Sequence, residues 1–174
     1  MLSRFFFAIC IWVIASGSQA SDRIVGPRPA PPQGNGPGQL VVWVTGSDRI
    51  ETVDFGEPQT PAGNSFQPGL DTLHQRLYVP TAGGRTVIFD AGDLSLVGSM
   101  HSPDGARVAG VSPDGKVLVV VSDDRTAAYA TANRERLWQV QGGGNAVAFH
   151  EDSRYVYVGG NRSQTIQRLS VSTG

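Results

Sequence analysis

Charge is scarce in this 174-residue chain. Only 17% of its residues are Asp, Glu, Lys or Arg, and they nearly cancel, leaving a formal net charge of -1. So balanced a chain offers no electrostatic case for binding nucleic acid or an anionic membrane surface. Helical periodicity is missing as well. Gly (22 residues) and Pro (11) interrupt nearly every window long enough to hold a helix, which argues against a bundle or coiled coil. Hydrophobic residues, at 40%, are too frequent for a mostly disordered chain. Cysteine is almost absent. The single one, Cys10, lies in a segment expected to be removed, so the mature chain is expected to have no disulfide, thiolate metal site or cysteine nucleophile.

That segment runs from Met1 to Ala20. One cation, Arg4, precedes an apolar run from Phe5 to Ala15, and small residues follow up to Ser18-Gln19-Ala20. This is the order of a secretory signal peptide, with cleavage expected after Ala20. The run is shorter than the roughly 20 residues a membrane-spanning helix needs, so no stable membrane insertion is expected after cleavage. Residues 21–38 follow as a Pro- and Gly-rich stretch with Pro27, Pro29, Pro31, Pro32 and Pro37. It reads as an extended spacer that forms no ladder. The expected address is outside the cytoplasm, in the periplasm.

From Gln39 to Gly174 the chain repeats itself. A turn with a polar or basic residue leads into a short β-branched and aromatic strand: Leu40–Val44, Leu77–Val79, Val117–Val121 and Tyr155–Gly159. The offsets between copies set Leu77 against Val117, and Val117 against Tyr155. A second strand follows each: Ile50–Phe55, Thr86–Asp90, Thr126–Ala130 and Thr165–Leu169. The turns within each pair are rich in Gly, Asp, Asn and Ser, the residues of tight hairpins. Weaker strands flank the pairs: Leu94–Met100 and Leu137–Val140 after them, Val108–Val111 and Ala146–Phe149 before them. The predicted unit is a four-stranded antiparallel meander of about 40 residues.

The stretch Val111-Ser112-Pro113-Asp114-Gly115-Lys116-Val117-Leu118-Val119-Val120 resembles the repeat of the YVTN-type β-propellers, kin of the WD-repeat and quinoprotein-like propellers. Leu77-Tyr78-Val79-Pro80-Thr81 is similar to its name-giving tetrapeptide. The resemblance implies an all-β fold of propeller blades, about four copies, with the first and last incomplete. The first copy shows no leading strand, and the last stops after its penultimate one. Three arrangements stay open: part of a longer propeller, a small four-bladed ring, or a ring completed by another chain. Ala128 to Trp138 is also similar to the tryptophan-docking motif of quinoprotein propellers, with Ala130 and Arg134 in place of the expected Asp and Gly. A Trp packed between blades accounts for it, and no quinone or other cofactor is implied.

No catalytic set emerges. His74, His101 and His150 show no metal-ligand spacing, and Gly142-Gly143-Gly144 has no helix after it to cradle a phosphate, so it reads as a connection between blades. Asp104 and Asp114 fall in Ser-Pro-Asp-Gly turns. Asp123-Asp124 is an adjacent carboxylate pair, and a hairpin tip explains it better than Ca²⁺ binding. One pattern suggests a site. Arg49, Arg85, Arg125 and Arg162 recur at the central hairpin turns, where equivalent turns would share one end of the stack. Arginine grips carboxylates and phosphates through paired hydrogen bonds, so an anion-binding rim is the candidate. Solvated turn arginines paired with Asp48, Asp123 or Asp124 are the plainer reading. The expected function is a non-catalytic binding or scaffolding module for a protein or small anionic ligand, able to self-associate through open edges. The alternative is a truncated piece of a quinoprotein- or lactonase-like propeller enzyme.

Overall fold

The computed structural model describes residues 23–28, 39–44, 50–54, 67–81, 83–160 and 165–174, the first three of these segments as backbone only. The signal-peptide reading of residues 1–20, Arg49 and Arg162 fall outside the described residues. Fourteen strands and no helix make up what is described. No helix among these residues is long and apolar enough to cross a membrane.

The strands form four antiparallel meanders in chain order. Sheet 1 holds β1 (Arg23–Arg28), β2 (Gln39–Val44) and β3 (Ile50–Asp54). Sheet 2 holds β4 (Gly69–Asp71), β5 (Arg76–Pro80), β6 (Arg85–Asp90) and β7 (Leu96–His101). Sheet 3 holds β8 (Val108–Val111), β9 (Val117–Val121), β10 (Arg125–Ala130) and β11 (Arg136–Gln141). Sheet 4 holds β12 (Ala146–Phe149), β13 (Tyr155–Gly159) and β14 (Ile166–Ser170). Each expected strand therefore has its counterpart, within a residue or two at the ends.

Two strands were not expected. β1 lies inside the segment read as a spacer and gives the first copy a leading strand; that reading is corrected. Its Pro27 pairs with Leu40. Because β1 stands at the edge of its sheet, the amide that proline lacks leaves no ladder incomplete. β4 is only three residues long, too short to show alternation.

The repeat offset also needs one correction. Residues 81–84 join β5 to β6, while residues 122–124 join β9 to β10. The longer hairpin shifts the register, so Tyr78, not Leu77, shares a face with Val119's counterparts. A one-residue slip moves every side chain of a strand to the opposite face. Tyr78 and Ile88 accordingly point at sheet 3, while Leu77, Val79, Val87 and Phe89 fill a separate buried cluster.

The meanders stack through their apolar faces. Tyr78, Ile88 and Met100 of sheet 2 interlock with Ala109, Leu118, Val120, Ala127 and Tyr129 of sheet 3. On the other face of sheet 3, Val108, Val119, Val121, Ala128 and Trp138 meet Val147, Val156, Val158 and Val171 of sheet 4. Both faces of β9 are thus dry, which explains its uninterrupted Val-Leu-Val-Val-Val run. The leading strands lie side by side. Gln67 bridges Val108 in parallel, with Gln67 N donating to Arg107 O at 3.0 Å and Ala109 N to Gln67 O at 2.7 Å.

Candidate functional site

Strands alternate in direction, so the turns of each meander emerge at two ends. One end gathers the central hairpins (residues 81–84 and 122–124) and the connections between sheets (102–107 and 142–145). The other gathers the first hairpins (72–75, 112–116 and 150–154) and the last turns (91–95, 131–135 and 171–174).

The second end satisfies its polar groups internally. Asp71, whose side chain is 1% exposed, accepts the backbone N–H of Leu73 and of His74, each at 3.0 Å, and lies 2.7 Å from His74 Nδ1. Ser112 donates to Asp114 Oδ1 at 2.6 Å and accepts from Val117 N at 2.9 Å. Thr131 Oγ1 donates to the Gly115 carbonyl at 2.6 Å, and His150 Nδ1 lies 2.9 Å from Asp152 Oδ1. Two of the histidines are therefore turn residues. Nearby, burial raises the Tyr78 phenol above its ordinary value, and Asp71 adds to this while Arg134 and Arg76 oppose it.

Asp114 shows the electrostatics of these turns. The Ser112 hydroxyl holds its carboxyl below the usual carboxylate range; partial burial works against this, and the Lys116 backbone N–H assists it. A folded-state value below the unfolded one contributes stability that is present at neutral pH and lost as the pH falls through the carboxylate range. Ser112→Ala is therefore expected to be less stable than wild type at neutral pH, with the gap closing in acid. Urea denaturation between about pH 6 and about pH 3 would show it. Some acid sensitivity persists, because Asp152 is also lowered, chiefly by the Arg154 backbone N–H.

The first end carries the candidate rim. Arg85 opens β6 and Arg125 opens β10 at equivalent places, each in the first cross-strand pair with its sheet's last strand: Arg85 with His101, Arg125 with Gln141. Both are engaged within their own sheets. Arg85 donates to Ser99 Oγ, and Arg125 Nε lies 3.4 Å from Asp124 Oδ2. Asp124 also accepts from Ser122 Oγ at 2.9 Å, and Asp123 accepts from Arg107 Nη2 at 2.8 Å, so local cations and donors take up both carboxylates. Sequence reasoning passed over Arg107. It lies in the connection before β8, and nothing in its local sequence ties it to a turn 16 residues away.

Four buried side-chain atoms among the described residues have no hydrogen-bond partner: Thr86 Oγ1, Ser102 Oγ, Arg107 Nε and Gln167 Oε1. All four belong to this same end. Thr126, the counterpart of Thr86, donates to the Gly142 carbonyl at 2.8 Å, which shows how such a group is satisfied when a partner is in reach. Buried polar groups left unpaired are rare and call for a cause. No group of three or more metal-ligating side chains occurs among the described residues.

No family model and no curated protein matches this sequence. Many solved structures resemble its fold. One is Kuenenia stuttgartiensis hydrazine synthase, with a TM-score of 0.55 at 14% identity. The match covers 76% of this chain and 43% of that one, so the chain spans less than half of its neighbour's length. At that identity the likeness concerns the fold alone. What fold and site define together is a class: an all-β stack of antiparallel meanders with a polar turn end.

Proposed function

We propose that the chain is a run of YVTN-type β-propeller blades, exported to the periplasm, that acts as a non-catalytic binding module. The contact surface is the end formed by the central hairpins. The observation that carries this reading is the distribution of unsatisfied polar atoms. They collect at that end, while the turns of the opposite end close on themselves. Beside these buried atoms, the exposed guanidinium of Arg125 suits an oxyanion such as a carboxylate of an acidic protein surface. The equivalent settings of Arg85 and Arg125 support a common approach for such a partner. The alternative, a piece of a propeller enzyme, has less support, because the carboxylates and histidines bonded above serve turns.

The test is the double charge reversal Arg85→Glu with Arg125→Glu. Fluorescence anisotropy with a labelled glutamate-rich peptide is expected to show at least tenfold weaker binding. Unchanged binding would dismiss the rim.

A further inference from the structure

The tetrapeptide Ser-Pro-Asp-Gly occurs twice, as Ser102-Pro103-Asp104-Gly105 and as Ser112-Pro113-Asp114-Gly115. The two copies share their chemistry and differ in their surroundings. An aspartate before a glycine carries a latent reaction. The glycine nitrogen can close a five-membered ring onto the aspartate side chain, and glycine has no Cβ to shield it. Whether the ring closes depends on how firmly the fold holds the two groups.

In the second copy both groups are held. Gly115 N donates to the Ser112 carbonyl at 2.8 Å, so the turn spans Ser112 to Gly115. Asp114 Oδ1 accepts from Ser112 Oγ at 2.6 Å and from Lys116 N at 3.2 Å, and Asp114 N donates to Ser153 Oγ at 3.2 Å. Gly115 is also enclosed. A Cβ there would stand 3.0 Å from His74 Cε1 and 3.2 Å from Asp71 Oδ1.

In the first copy the turn is shifted by one residue. Ala106 N donates to the Pro103 carbonyl at 3.2 Å, and the Gly105 N–H has no partner among the described residues. Ser102 Oγ, the counterpart of Ser112 Oγ, is one of the buried atoms without a partner, so it does not hold Asp104. The Asp104 carboxylate is exposed and accepts no hydrogen bond among the described residues; its Oδ1 lies against Gly84. Gly105 has a φ of +67°, and a Cβ there would meet nothing within 4 Å, which leaves room for a ring and for solvent water.

We propose that Asp104-Gly105 is a site of spontaneous isoaspartate formation, and that Asp114-Gly115, with the same four residues, is protected. The Gly105 nitrogen attacks Asp104 Cγ. A C–N bond forms, and the hydroxyl of the protonated carboxyl leaves with the amide proton as water. A solvent water then opens the imide at either carbonyl. Opening at Cγ restores aspartate. Opening at the main-chain carbonyl breaks the original peptide bond and leaves the chain running through the Asp104 side chain, with no net change in mass. The product adds a methylene to the backbone between Ser102 N, bonded to Gly84 O at 2.8 Å, and Arg107 N, bonded to Val121 O at 3.0 Å. This connection lies at the end of the central hairpins, so ageing at Asp104 alters that end.

The experiment is incubation of the full chain in neutral buffer for several weeks, then trypsin digestion and liquid chromatography with mass spectrometry. Cleavage after Arg85, Arg107 and Lys116 places Asp104 in peptide 86–107 and Asp114 in peptide 108–116. Peptide 86–107 is expected to gain a second form of equal mass, at least about tenfold faster than peptide 108–116, because only the second turn is held closed. In guanidinium chloride, where both turns are lost, the two are expected to convert at similar rates. Asp104→Glu, whose longer side chain disfavours the ring, is expected to remove the second form, which separates Asp104 from Asp90 and Asp93 in the same peptide. Equal rates in the folded chain overturn the proposal, and so does a peptide 86–107 that stays single. A second form that survives Asp104→Glu overturns it too. Rates that differ as much in guanidinium chloride as in the folded chain would trace the contrast to Ala106 and Lys116 instead of the fold, and overturn it as well.

Discussion

Gly143→Ala is expected to destabilise the chain by about 3 kcal/mol, the upper range for forcing extra atoms into a packed site. The residue threads between the sheets where no side chain fits. A Cβ there would fall on the Ser122 carbonyl oxygen, 2.7 Å from the Asp123 carbonyl carbon and 2.8 Å from Asp124 N. These are backbone atoms, so no rotamer change relieves the clash. They are also pinned: Gly142 N donates to Asp124 O at 2.8 Å and Gly144 N to Ser122 O at 3.0 Å. Gly144→Ala faces the same obstacle on the other side, against the Gly159 carbonyl. Gly159→Ala is the control. Its Cβ would meet nothing within 4 Å, so its stability should stay within about 0.5 kcal/mol of wild type. Urea denaturation of the three variants separates steric exclusion at Gly143 and Gly144 from a general loss of glycine flexibility. A Gly143→Ala chain as stable as the Gly159→Ala chain would refute the account.

Much of this architecture can be read from residue order, and the failures have local causes. The Val117–Val121 run, set between a Pro-Asp-Gly turn and an Asp-Asp hairpin, declares a strand buried on both faces. The triple glycine declares a connection. β1 is hidden because Pro27 reads as a breaker, and only its place at a sheet edge makes proline harmless there. β4 is hidden by its length. The face of β5 is misread by one residue because a Gly-rich hairpin gives no sign of how many residues it needs. At the site, Arg85 and Arg125 stand out by their recurrence. What tempers their charge does not, since Ser99 lies 14 residues from Arg85. Nor could spacing reveal that Thr86 lacks the acceptor that Thr126 finds in Gly142, because that depends on how two connections of different sequence lie over equivalent strands.

Trp138→Ala should cost about 3–5 kcal/mol, the usual toll of emptying a large aromatic site. The side chain is 9% exposed and reaches from β11 onto sheet 4, where Nε1 donates to the Val171 carbonyl at 2.8 Å. Its ring lies over the last turn. A Cβ on Gly174 would stand 3.2 Å from Trp138 Cε3, and φ of +87° there already favours glycine. The neighbouring junction exchanges the two roles. Gly98 stands in β7 where Trp138 stands in β11, and the guanidinium of Arg134, in the turn equivalent to Gly174's, fills the gap, with Nη1 3.0 Å from a Cβ built on Gly98. A backbone φ of +152° explains why that place holds glycine. Each junction thus has its own key, and a stack of this kind responds to damage locally, since its stability is close to a sum over neighbours. Hydrogen exchange should therefore show Trp138→Ala losing protection in β12, β13 and β14, while β5, β6 and β9 keep theirs. Trp138→Phe, which keeps most of the packing and removes the donor to Val171, should lose only about 1–2 kcal/mol. Equal loss of protection across sheets 2, 3 and 4 would mean that the meanders unfold as one unit and that Trp138 is not a junction key.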